Sequence, residues 1–194
     1  MTAQQFITNS KQSLTGLKVS GDDNTLLSYL NLAKNQIALD TLLWLNGETI
    51  SLIEGTNEYT LSKIPIQIID VYDDSLTLRP RNNSGPYGYY QMSPNTIYVN
   101  TPSNGVDINI NYYYTPDDYI LTDLIDIPES ILNATQYFLL HKGYEMQKDE
   151  MGVVSSKEYF ARYNAAINRY LGKTDNNNVD SVLSIDLIAD KGLV

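Results

Sequence analysis

Cysteine is absent from the 194 residues, and histidine and tryptophan occur once each. Without cysteine there is no disulfide framework and no thiolate metal site, and the redox compartment stays open. The lone histidine, His141, excludes the ordinary zinc sites unless carboxylates supply the other ligands, and any Ser/His/Asp set would have to be built on it. No serine stands in a nucleophile-elbow pattern, and the full phosphate-loop pattern is missing. Positive charge is scarce: 13 Lys+Arg against 23 Asp+Glu give a formal net charge of -10. That balance repels a phosphate backbone and argues against a protein that grips nucleic acid, though not against one past which DNA slides. Nowhere do about eighteen apolar residues follow one another, and Met1-Thr2-Ala3-Gln4-Gln5 has neither a basic region nor an apolar run. A soluble protein made in a cytoplasm is therefore expected, with no membrane partner and no cofactor.

What the chain has in quantity is tyrosine, 16 residues against three phenylalanines. A phenol ring combines a broad rigid face with a polar tip, which suits half-buried surfaces and subunit interfaces as well as strands. Most of these tyrosines are read as strand and core residues. Tyr87, Tyr89 and Tyr90 could stack on sugars, which keeps a glycan-binding module open as an alternative function. The acidic pairs Asp22/Asp23, Asp73/Asp74 and Asp117/Asp118 keep open a second one, a carboxylate-dependent polysaccharide hydrolase. Each pair also sits where a turn or a helix start favours aspartate.

Periodicity predicts an α+β protein, mainly helical: a helix bundle with a small antiparallel sheet module inserted between its second and third main helices, then an extended C-terminal tail. The helices are expected at about 2–14, 22–46, 127–150 and 155–171. The β insertion is expected at about 48–115, all within one domain of residues 1–172, followed by a tail of 173–194. Asp22, Asp23 and Asn24 offer cap oxygens to a helix with Leu26, Leu30, Ala33, Ile37 and Ala38 on one stripe, and Asn46-Gly47 is its expected stop. Alternation then predicts strands, with Thr96 to Asn100 and Val106 to Tyr114 as a hairpin across Ser103-Asn104-Gly105. In the second arm Ile108, Ile110, Tyr112 and Tyr114 share a face. Asp126-Ile127-Pro128-Glu129 is a capping-box start for the third main helix, and Gly152 its break. Ser155 with Glu158 opens the last helix, which Gly172 closes. His141 is expected as a satisfied core residue.

The passage Asn57-Glu58-Tyr59-Thr60-Leu61 leading to Ile64-Pro65, the strand ending Tyr112-Tyr113-Tyr114-Thr115-Pro116, and Asp126-Ile127-Pro128-Glu129 resemble, in that order, the head-to-tail adaptor (connector) family of tailed bacteriophages. The resemblance covers roughly residues 20 to 172 and is one of arrangement. Ile64-Pro65 departs from the Leu-Pro often found there. The resemblance implies a structural virion protein and no enzyme. It would be one subunit of a ring, commonly dodecameric, under the portal protein at the head-tail junction, assembled in the host cytoplasm. Such a ring presents a surface to the next tail component and lets DNA pass through its lumen. Ile131, Tyr137, Leu140 and Tyr144, on a helix apolar on more than one face, are then expected at the subunit or portal interface. Leu183, Ile185 and Leu187 of the tail are expected there too, alternating as a strand that could add to a partner's sheet.

Overall fold

A computed structural model describes residues 1–14, 22–73, 77–78, 80, 88–100, 106–146 and 150–175. The chain is α+β, with four helices and two antiparallel sheets among those residues, and it divides into two compact units, Met1–Lys34 with Asp118–Val194, and Asn35–Asp117.

In the first unit, α1 (Ala3–Leu14) opens on a reciprocal capping box that the sequence carries as Thr2-x-x-Gln5. The Gln5 amide donates to Thr2 Oγ1 at 3.2 Å, and the Thr2 amide donates to Gln5 Oε1 at 2.9 Å. The amides of Ala3 and Gln4, orphans of the first turn, reach the carbonyls of Asp123 and Leu121. Asp22 caps α2 (Asp23–Thr41) as expected, its Oδ1 accepting from the Thr25 amide at 2.8 Å. α3 (Glu129–Glu145) and α4 (Glu150–Asp175) pack on each other, and Phe138 meets Tyr163 edge to face at 5.3 Å. Ala3, Phe6, Ile7, Leu26, Leu30, Tyr119, Leu139 and Leu140 make one buried cluster of this unit.

Helix ends moved where tertiary needs outweighed local signals. α2 stops at Thr41, short of Asn46-Gly47, because Asn46 and Gly47 are needed as strand residues opposite Tyr112 and Asn111. The reversal falls instead on Leu42, whose φ of 50° is an unusual conformation for a branched side chain, with its amide bonded to the Ala38 carbonyl. α3 begins with Pro128 as N-cap and no side-chain cap bond, since Asp126 turns to Tyr119 and Lys34 instead. Gly152 and Ser155 lie inside α4, and α4 continues past Gly172 to Asp175. Ser155 therefore does not open that helix and Gly172 does not close it.

The second unit holds β1 (Leu45–Ser51), β2 (Glu58–Thr60), β3 (Pro65–Tyr72), β4 (Thr77–Leu78), β5 (Gly88–Ser93), β6 (Thr96–Asn100) and β7 (Asp107–Tyr114). These form two sheets, of order β1-β7-β3-β4 and β2-β6-β5, where one had been expected. The expected hairpin of β6 with β7 does not form. β6 has both edges occupied, by β2 and β5, and β7 has both edges occupied, by β1 and β3. Inner-face residues of both sheets, among them Tyr59, Leu61, Val71, Tyr89, Ile97, Val99 and Ile110, close one core. The alternation in β7 is as expected, with Ile108, Ile110 and Tyr112 buried and Tyr114 partly buried against the core. In β3 a register shift between Ile68 and Asp70 moves the buried phase, so that Val71 enters the core.

Candidate interaction surface

Within the first unit, three of the four expected interface residues on α3 are covered by the chain itself: Ile131 is 0% exposed, Leu140 4% and Tyr144 7%. Their side chains complete the unit's own interior, because α4 and the N-terminal helices lie on faces of α3 that periodicity alone could not assign. Tyr137 is half-buried, with its ring 6.4 Å from that of Tyr159. Leu183, Ile185 and Leu187 lie outside the described residues. One apolar surface that stays open sits where α3 ends and α4 begins. Met146 follows α3 directly, Met151 and Val154 stand in the first turns of α4, and Phe160 is 40% exposed one to two turns on. Gly152 lies within this stretch of α4 and, as a helix breaker by type, masks the continuity of these apolar residues in the sequence.

His141 is held between α3 and α4. Its Nδ1 lies 2.9 Å from Ser156 Oγ and 3.0 Å from the Ser156 carbonyl, and its ring is 4.9 Å from that of Phe160. The Ser156 carbonyl only accepts while its hydroxyl can donate or accept, so the tautomer of the ring sets which of the two contacts Nδ1 makes as donor. Ser156 is itself buried. The pair joins two helices.

Several acidic residues are engaged one by one, while Asp74 lies outside the described residues. Asp23 pairs with Lys11 at 2.5 Å and accepts from Gln4 at 2.9 Å, which in that order hold its carboxyl below the usual range. Asp123 Oδ2 accepts from the Ile120 amide, and Asp117 pairs with Lys63, whose pKa that contact raises. Asp126 receives the Tyr119 hydroxyl and lies 3.2 Å from Lys34 Nζ, a buried ammonium that also sits 3.7 Å over the Tyr119 ring. Asn31 holds the Tyr119 backbone through both its amide and its carbonyl. This network fastens the segment ahead of α3 to α2. Among the described residues no three His, Cys, Asp or Glu side chains come together as metal ligands, and no helix is long and apolar enough to cross a membrane. Gly172-Lys173-Thr174 carries the last three residues of a phosphate-loop pattern, but Ile167 stands where its first glycine is required, and the tripeptide lies near the end of a helix instead of opening one.

In the second unit, Tyr112 gathers a polar cluster at the sheet. Its hydroxyl donates to Glu48 Oε1 at 2.7 Å and accepts from Asn46 at 2.9 Å and from the Lys63 amide at 3.3 Å. The ring is fully buried, which pushes the phenol up. Tyr89 is buried and Tyr90 stacks on Tyr98 at 4.8 Å, while Tyr87 lies outside the described residues. The tyrosines thought of as a sugar platform are therefore partly taken up by the protein's own packing.

Two paired helices, two small sheets around one core and an open apolar surface on an acidic chain suit a structural protein that meets other proteins. The chain belongs to the SU10 adaptor protein family, whose model matches residues 1–184, a family of phage head-to-tail adaptors. No curated protein matches it. Its role is accordingly that of a phage structural adaptor, associated with other head and tail proteins of the virion.

Proposed function

We propose that the chain is one subunit of a ring, of about twelve copies, that binds the lower face of the portal, receives the next tail component and lets DNA pass through its lumen. The observation that carries this reading is the family match over residues 1–184. The helices, arranged as a bundle, build the ring wall, and the chain's net charge of -10 keeps passing DNA from condensing onto it. Met146, Met151, Val154 and Phe160, with half-buried Tyr137, are the surface a neighbouring copy covers. Leu183, Ile185 and Leu187 of the tail add to a partner's sheet edge once the ring forms. Co-expression with the portal protein tests it: the two should co-purify, and electron microscopy should show a ring on the portal's axis. An adaptor that stays monomeric and separate from the portal would remove this reading. Met151→Asp with Val154→Asp should leave the fold intact and abolish the ring.

A further inference from the structure

We propose that a groove between the two sheets is a docking site for one basic side chain, arginine or lysine, carried by an apolar segment of a partner protein. The groove has a volume of about 590 Å³ and is lined by β4, an edge strand of one sheet, by β3 beside it, and by β5, an edge strand of the other. Ile66, Ile68, Leu78, Tyr89 and Tyr90 give it apolar and aromatic walls, and among the described residues Asp70 is the one carboxylate in its lining.

Asp70 is placed there by the backbone. The register shift after Ile68 sends Val71 into the core, and the pleat then fixes where its neighbour Asp70 stands. Its Oδ1 is shielded from solvent and, among the described residues, accepts no hydrogen bond. An acceptor withdrawn from water and left unmet is costly, more so when charged, and a cation entering the groove would meet it. The negative charge is felt by the groove wall: burial first, and then Asp70, raise the pKa of the Tyr89 phenol. Tyrosine faces beside a carboxylate favour a guanidinium or ammonium over a neutral polar group. The occupant is a partner of basic character, because Asp70 stands unmet in an otherwise apolar and aromatic lining and the chain's 23 acidic against 13 basic residues favour a cationic segment.

The proposal does not depend on ring formation, since the isolated chain should already bind. Its test uses a short peptide with one arginine between leucines, and the same peptide with citrulline, which keeps the shape and removes the charge. The arginine peptide should shift the ring resonances of Tyr89 and Tyr90 saturably. Asp70→Asn should weaken that binding by about tenfold, and the citrulline peptide should bind the parent chain as weakly. Equal binding of the two peptides, or shifts confined to other tyrosines, would overturn it. The thermal midpoint of Asp70→Asn should equal or exceed the parent's, as expected when an unmet charge is removed. A marked fall, or failure of both Asp70→Asn and Asp70→Leu to fold, would show that the carboxylate belongs to the fold and would equally overturn the proposal.

Discussion

The hydroxyl of Tyr112 meets two separate stretches of chain, β1 at Asn46 and Glu48 and the segment at Lys63, from a ring with no exposed surface. Removing it in Tyr112→Phe leaves the Asn46 amide and the Lys63 amide without that acceptor. A loss of about 1–3 kcal/mol in urea unfolding is expected. The phenols of Tyr89, Tyr112 and Tyr119 are all pushed above their ordinary value of 10.0, burial being the first cause each time. The folded chain therefore holds these protons more tightly than the unfolded chain. Their contribution is fully present below pH 10.0, falls as the unfolded phenols begin to ionise above it, and is lost as the pH rises through the folded values. Thermal midpoints should drop as the pH rises above about 10, and Tyr119→Phe should flatten that drop.

At the scale of elements, the capping aspartate Asp22 was legible because its pattern is local: a short acidic side chain ahead of an apolar stripe. Asp22→Ala should lower the thermal midpoint by about 2–4 °C, measured by circular dichroism. The end of α2 was not legible, because Asn46 and Gly47 are good helix stops and equally good strand residues when Tyr112 and Asn111 stand opposite. Pairing decided between the two. At Gly47 an added Cβ would stand 2.9 Å from Asn111 Oδ1, so the close approach of the two strands also favours glycine there. The last helix shows the reverse case. Gly172 resembles a terminator, yet α4 runs past it into open space, where a Cβ would meet nothing. Gly172→Ala should stabilise the protein by up to about 1 kcal/mol, read from the denaturant midpoint.

For the molecule as a whole, the charge balance makes a prediction that no single residue carries. The purified chain should not retard duplex DNA even at about 50 mM salt, and a salt-dependent shift in a gel would contradict a wall past which DNA slides. The sequence by itself determined the mixed α+β class, the helix starts at Thr2 and Asp22, the buried face of β7 and the acidic character, because each rests on near neighbours or on composition. It also carried the resemblance to head-to-tail adaptors in the order of its elements. Only the tertiary structure decided that the strands form two sheets around one core, that β6 and β7 part company, and that Ile131, Leu140 and Tyr144 are enclosed. Whether an apolar face meets its own chain or a neighbour, and which strand claims an edge, depends on residues far away along the sequence, and periodicity is blind to them.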